Sequence, residues 1–200
     1  MNSMKNLENS LFKSGFKYIF GLDEAGRGPL AGPVVAGAVV WKNGIKIPGL
    51  NDSKKLSQKK REKLFKIITS KLEYGVGIVS HEIIDKKGIK YATLMAFKSA
   101  IKDIEKKHKI KPECLLIDGI DDFKFGAPSV SIEKGDTRVK CIQAGSIIAK
   151  VTRDKIMMDF EKKYPMYGFR SHKGYGTEAH YKAISKHGTC AIHRLTFRLK

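Results

Sequence analysis

Cysteine is scarce in this chain, long apolar runs are missing, and acidic residues are about half as common as basic ones. Cys114, Cys141 and Cys190 are widely spaced and form no Cys-x-x-Cys arrangement, which argues against a disulfide framework and a thiolate zinc site. Free thiols in a reducing compartment are expected. The longest apolar run, Pro33 to Trp41, is too short to cross a bilayer, and scattered lysines near the start interrupt any signal-peptide core. These absences predict a cytoplasmic protein with no membrane association. No internal repeat or low-complexity segment is visible.

What the chain has in excess is positive charge. Thirty-nine Lys and Arg against twenty Asp and Glu give +19 at pH 7, a balance that favours a polyanionic partner, most simply nucleic acid, over an acidic small molecule. An anionic membrane surface competes weakly, because the bases are spread over several elements and no basic amphipathic segment carrying Trp or Phe stands out. With 42% hydrophobic residues among 200, the composition suits one domain with a sizeable core.

Residues 1 to about 14 are polar and expected to be loose, with no room for an N-terminal domain. Tyr18, Ile19, Phe20 and Leu22 read as a buried strand, Val34 to Val40 as a second, and Lys42-Asn43-Gly44 as a hairpin turn into a third near Ile45 to Ile47. Asn51 to Leu56 is a polar, basic loop. Ser57 caps a helix whose Leu64, Phe65, Ile67, Ile68 and Leu72 form one apolar stripe. Tyr74 to Ser80 reads as a strand, with Gly75 and Gly77 allowing close packing, and Lys90 to His108 as a long helix stopped by Pro112. Glu113 to Ile117 is a short strand ending in Asp118, Ile120 to Gly135 a loop, and Thr137 to Ile142 a further expected strand. Ala144 to about Lys163 is helical, with Lys150, Arg153 and Asp154 on a potential active face. A loop through Ser171-His172-Lys173-Gly174-Tyr175-Gly176 precedes a last helix from Thr177 to His187. The pattern predicts a single α/β domain over residues 1–200, a mixed sheet covered by helices, with a helical C-terminal extension from about residue 155.

Two of these strands end in acids. Asp23 and Glu24 close the first and Asp118 the short one, where carboxylates lose hydration at a cost of roughly several kcal/mol unless a cation or donors compensate. A capped turn pairing with Arg27 accounts for Asp23-Glu24 alone, but not for the repeat at Asp118. Gly26 and Gly28 strip side chains from either side of Arg27, so the backbone can approach a ligand closely. Gly26-x-Gly28-x-x-Ala31 imitates a dinucleotide fingerprint, yet a strand follows instead of a helix and two acids would repel a pyrophosphate, so that reading is rejected.

If the two acid-ended strands are neighbours, Asp23 and Asp118 emerge on one sheet edge, with Glu24 and Asp136 within reach. Four acids in one place raise one another's pKa unless divalent cations hold them ionised, and hard oxygen ligands favour Mg²⁺ or Mn²⁺. An acidic metal site inside a basic chain suits phosphodiester hydrolysis, where two ions roughly 4 Å apart activate the attacking water and stabilise the leaving oxygen. Distributed lysines would hold the polyanion.

Gly21 to Val34, Asp52-Ser53-Lys54-Lys55-Leu56, Ile117-Asp118-Gly119, Lys134-Gly135-Asp136, Ser146 to Asp154 and His172-Lys173-Gly174-Tyr175 together closely resemble bacterial ribonuclease HII, in that order and over nearly the whole chain. Gly145 departs from the alanine usual there, which touches helix propensity only. The resemblance implies a ribonuclease H-like fold and an endonuclease with two bound Mg²⁺ or Mn²⁺ ions. Its substrates would be RNA-DNA hybrids and duplex DNA carrying single ribonucleotides, cut on the 5′ side of the ribonucleotide to leave 3′-hydroxyl and 5′-phosphate ends. It also implies that Asp23, Glu24, Asp118 and Asp136 bind metal, that Gly26, Arg27 and Gly28 recognise the 2′-hydroxyl and adjoining phosphate, and that Tyr175 packs on the deoxyribose 3′ of the junction.

Ser53, Lys54, Lys55, Ser146 and Lys150 are plausible phosphate contacts by charge and position. Asp154 either supports the acidic site from behind its ligands or forms a surface pair with Lys150 at helical spacing, the second being favoured. His172, His180, His187 and His193 lack a zinc spacing and are expected on the surface or in loops. Two other readings compete. A type 3 ribonuclease H would be expected to carry an extra N-terminal domain and to lack Gly-Arg-Gly, and a noncatalytic nucleic-acid-binding module explains the charge but gives the four acids no purpose. A monomer is the expected state.

Overall fold

The computed structural model describes residues 7–119 and 123–199. Its strands are β1 (Ile19–Ala25), β2 (Val34–Trp41), β3 (Tyr74–Val79), β4 (Cys114–Asp118) and β5 (Ser129–Ile132), and they form one mixed sheet in the order β3-β2-β1-β4-β5. The first three pair antiparallel, while β4 and β5 run parallel to β1. Parallel register sets Leu22 beside Ile117. The next residues, Asp23 and Asp118, therefore stand side by side on neighbouring strands, where the pairing of β1 with β4 ends.

Alternation along β1 and β2 divides the side chains between two layers. Ile19, Val39 and Trp41 face a core shared with α5 (Lys140–Lys163), whereas Phe20, Leu22, Ala36, Ala38 and Val40 face α4 (Ile89–His108). Each large apolar side chain so buried contributes about 1.5–3 kcal/mol. Glycines let α5 lie unusually close: a Cβ on Gly21 would collide with Cys141, and one on Gly37 with the Gly145 carbonyl. The glycine at 145 belongs to this contact, since a Cβ there would stand 3.0 Å from the carbonyls of Gly21 and Gly37. That close approach carries Ser146 down onto Asp23.

Several expectations are corrected. Leu7–Lys13 is not loose but forms α1, because Leu7, Leu11 and Phe12 pack on the α5 side and the buried Glu8 carboxylate accepts the Cys141 N–H at 3.0 Å, capping the start of α5. Residues 1–6 lie outside the described residues. No strand forms at Ile45 to Ile47, since β3 already pairs along β2 from Val34 to Val39; both isoleucines reach the core from irregular backbone. The strand expected from Thr137 to Ile142 is instead a short 3₁₀ turn, Gly135–Thr137, and the first turn of α5, whose apolar face continues unbroken into Ile147 and Ile148. The region read as a loop contains β5; its start, residues 120–122, lies outside the described residues.

Helix α2 (Gln58–Lys71) begins as expected, with the Ser57 side chain accepting the Lys60 N–H. Between β3 and α4 lies α3 (His81–Lys87), which the periodicity did not suggest. Beyond α5 come α6 (Phe169–His172) and α7 (Glu178–His187), capped by Thr177. They enclose a small third core of Leu30, Met157, Tyr167, Phe169, Ile184 and Ile192. The C-terminal extension is helical only in part, because residues 188–199 are irregular.

Candidate active site

Asp23, Asp118 and Asp136 each offer a carboxylate oxygen to a common point, the three atoms lying within 4.8 Å of one another. Sheet register brings the first two together, and β5 delivers the third. Ile132 pairs with Asp118, the chain then turns through Lys134 in a left-handed conformation (φ 54°), and the N–H of Gly135 is donated to Asp118 Oδ1 at 2.6 Å. Asp136 follows at once. A left-handed non-glycine residue costs about 1–2 kcal/mol, so the site's own hydrogen bonds must hold this turn.

Burial and mutual repulsion dominate the electrostatics. Desolvation, then Glu24 and Asp118, drive Asp23 well above the usual carboxylate range, opposed by a hydrogen bond from the Ser146 hydroxyl. Glu24 is pushed up to about 7 by burial and by Asp118, with Arg27 pulling the other way. Asp118 is raised by burial and by Asp136. Among the described residues Glu24 Oε2 is buried without a hydrogen-bond partner. A divalent cation fits the three aspartates, whose mutual repulsion it would relieve; Glu24 is not among the ligand atoms that lie within 4.8 Å of one another.

Around the acids the expected substrate residues fall into two groups. Arg27 is 47% exposed and reaches back to Glu24 Oε1 at 3.4 Å, and Gly28 is exposed with open space where a side chain would be. Lys54 donates to Asp136, and Lys55 is exposed. Tyr175 is 40% exposed, its ring centroid 5.7 Å from Lys150 Nζ and 5.6 Å from Arg153 Cζ. Ser53 and Ser146, in contrast, are both 3% exposed and hydrogen-bonded to each other at 2.9 Å. Ser146, Lys150 and Asp154 recur every four residues, so the face of α5 that starts at Asp23 runs on for about 12 Å.

A family model described as ribonuclease HII matches residues 20–200. This chain belongs to the ribonuclease HII family. It is 50% identical over 198 residues to ribonuclease HII of Clostridioides difficile (strain 630), covering 98% of this chain and 76% of that one. With ribonuclease HII of Acholeplasma laidlawii (strain PG-8A) identity is 51% over 191 residues, 95% and 92% of the two chains. The crystal structure of ribonuclease H2 from Pyrococcus horikoshii OT3 superposes with a TM-score of 0.74 at 29% identity, over 91% of this chain and 94% of that one. As a ribonuclease HII family member the protein is a metal-dependent endoribonuclease acting on RNA-DNA hybrids, and the binding-module and type 3 readings fall away.

The ribonuclease HII site also rests on residues that the sequence reading placed wrongly. Arg153 does not lie on an active face; it is fully buried and donates to the carbonyls of Pro33, Ala31 and Lys173 at 3.0, 3.1 and 3.0 Å. Asp154 does pair with Lys150, at 2.8 Å, but only 9% exposed and with Arg61 at 3.8 Å, so the pair is not on the surface. His172, His180 and His193 are buried, not surface residues: His172 and His180 stack on each other and meet Phe169 edge to face, and His193 lies tilted against Phe169 and His180; His187 is exposed. Arg194 is also fully buried, and nothing in its sequence context of His193, Leu195, Thr196 and Arg198 sets it apart from a solvated arginine. No helix among the described residues is long and apolar enough to cross a membrane.

Proposed function

We propose that this ribonuclease HII cuts the phosphodiester bond on the 5′ side of a ribonucleotide, including a single ribonucleotide embedded in duplex DNA, leaving 3′-hydroxyl and 5′-phosphate ends. The observation that carries this reading is the convergence of Asp23, Asp118 and Asp136 beside the unpartnered Glu24 Oε2, one turn of chain from the bare Gly28. Two Mg²⁺ or Mn²⁺ ions held by the four carboxylates would supply an activated water and stabilise the leaving 3′ oxygen.

The protein's own groups bind and orient. Gly26, Arg27 and Gly28 approach the 2′-hydroxyl and its phosphate, because the 2′-hydroxyl is what separates RNA from DNA at one position. Tyr175 offers an exposed face to the neighbouring deoxyribose. Lys54, Lys55 and Lys150 attract phosphates as flexible point charges. Ser53 and Ser146, buried and bonded to each other, serve to steady Asp23 at the site's inner wall. The enzyme works as a monomer on this reading, and three unpaired thiols suit the reducing cytoplasm where genomic DNA lies.

The test is cleavage of an end-labelled DNA duplex holding one ribonucleotide, in Mg²⁺, in Mn²⁺ and in chelator, beside an all-RNA strand hybridised to DNA. A metal-dependent cut 5′ of the lone ribonucleotide is expected. Cutting confined to the longer hybrid would contradict the single-ribonucleotide reading while leaving the hybrid activity intact.

A further inference from the structure

Arg194 is 0% exposed, and among the described residues its guanidinium hydrogen-bonds no carboxylate. It instead binds three carbonyl oxygens of one loop: Nη2 donates to Gly26 at 2.6 Å and to Gly32 at 2.8 Å, Nε to Gly32 at 3.0 Å, and Nη1 to Arg27 at 2.9 Å. The backbone around it is anchored to the same loop, with Arg194 N–H donated to Leu30 at 2.8 Å and Gly32 N–H donated to Ile192 at 2.9 Å. A buried charge is costly unless well hydrogen-bonded. Here one fork satisfies carbonyls that a tight glycine loop would otherwise leave orphaned.

Peptide planarity gives this arrangement a consequence outside the core. In a trans peptide the C=O of one residue and the N–H of the next point in opposite directions. With the Gly26 and Arg27 carbonyls turned inward onto Arg194, the N–H groups of Arg27 and Gly28 are turned outward. Gly28 has open space over it, so two successive donors face a surface that no side chain at that position covers. Such a pair forms a small concave site for an oxygen carrying negative charge or lone pairs.

We propose that Arg194 is a specificity-determining positioning residue: by holding the Gly26 and Arg27 carbonyls inward it aims the Arg27 and Gly28 N–H groups at the ribose 2′-oxygen and adjoining phosphate. The proposal rests on the reading that this loop contacts the ribonucleotide. Lysine cannot substitute, because its three donors radiate from one atom and cannot span three carbonyls as a planar fork does.

The experiment compares wild type, Arg194→Lys and Gly28→Ala by fluorescence anisotropy in Ca²⁺, on a duplex with one ribonucleotide and on the same all-DNA duplex, well below each protein's melting temperature. Arg194→Lys is expected to lose about tenfold of the ribonucleotide preference, the size of one or two hydrogen bonds, with affinity for the all-DNA duplex unchanged. Equal weakening on both duplexes, or an unchanged preference, overturns the role of Arg194. Gly28→Ala, whose Cβ meets nothing in the free protein, separates the two failures: if it too leaves the preference unchanged, the loop reading itself falls. Should Arg194→Lys not fold, amide hydrogen exchange on the wild type decides. The Arg27 and Gly28 amides should become protected by the ribonucleotide duplex and not by the all-DNA duplex; no difference between them overturns the proposal.

Discussion

The Lys54 ammonium stands 3.0 Å from Asp136 Oδ2, joining a side chain that is 77% exposed to one that is 5% exposed. An otherwise solvated lysine thus places its charge in the acid cluster, on a carboxylate that the metal reading also claims. Asp136 in turn holds the Lys54 pKa above its usual value, by hydrogen bond and charge, against the opposing effect of burial. Cation and lysine compete for one carboxylate. Lys54→Met should therefore tighten Mn²⁺ binding to the free protein by about two- to fivefold, the worth of a partly exposed ion pair, while raising KM for the hybrid. Titration calorimetry checks the first and steady-state cleavage the second; weaker Mn²⁺ binding in the variant would show that Lys54 supports the site and does not compete for it.

The cluster is also a store of instability in metal-free protein. A carboxyl whose folded pKa is raised favours the fold while protonated, so its contribution is whole below the ordinary value and is lost as pH rises through the folded one. For Glu24 that window runs from 4.5 to about 7. Glu24→Gln, measured in chelator, should melt like wild type near pH 4.5 and gain on the order of 2 kcal/mol above pH 7. Asp23→Asn should behave the same way in sign, since burial, Glu24 and Asp118 all raise Asp23, and should abolish cleavage with Mg²⁺. A variant less stable than wild type at pH 8 in chelator would contradict this.

The buried histidines titrate in the opposite sense. One arrangement of neutral tautomers satisfies their bonds apart from the 3.3 Å approach of His193 Nδ1 to the Cys190 carbonyl: His172 Nε2–H donates to the Tyr167 carbonyl and its Nδ1 accepts the Gly174 N–H, while His180 Nδ1–H donates to the Tyr175 carbonyl. His193 Nε2–H then donates to His180 Nε2 at 3.1 Å, leaving His193 Nδ1 to accept the Cys190 N–H at 2.9 Å. An added proton meets a donor at every ring. Burial, with His172 and His193 nearby, accordingly holds His180 down to about 4. A depressed histidine gives stability that is whole above its ordinary value, 6.5, and is lost as pH falls toward the folded value. Protection of the Gly174 and Cys190 amides should collapse between pH 6.5 and 4; protection that tracks only the intrinsic exchange rate would refute the tautomer chain.

Much of this site was legible because two strands announce themselves by apolar runs and both end in acids, so adjacency of Asp23 and Asp118 needed only the right strand order. The route of Asp136 was not. Ser129-Val130-Ser131-Ile132 alternates, but four residues after a proline carry little signal, and without β5 the following turn reads as the start of a strand. The histidines misled for a different reason: sequence spacing tests for metal ligation, whereas their burial comes from Phe169 and Tyr167, which for His180 and His193 belong to a separate segment. Arg153 and Arg194 were hidden by the general rule that arginines are solvated, which fails where glycine-rich loops leave many carbonyls to satisfy.

Tyr175 offers the last discrimination. Its ring lies near the Lys150 ammonium and the Arg153 guanidinium, and its carbonyl is fixed by His180, so the exposed ring is presented by a backbone that cannot easily turn away. Tyr175→Ala removes the face and leaves those backbone bonds in place; Tyr175→Phe keeps the face and removes only the hydroxyl. If the ring packs on the sugar beyond a ribonucleotide, Tyr175→Ala should cut a single embedded ribonucleotide about tenfold more slowly, a stacking contribution of 1–2 kcal/mol or about that size, and Tyr175→Phe should stay near wild type. Cleavage inside a continuous RNA strand should fall less, because every neighbouring sugar there is a ribose. Equal losses on both substrates would assign the ring to loop packing against Lys150 and Arg153, with no part in reading the junction.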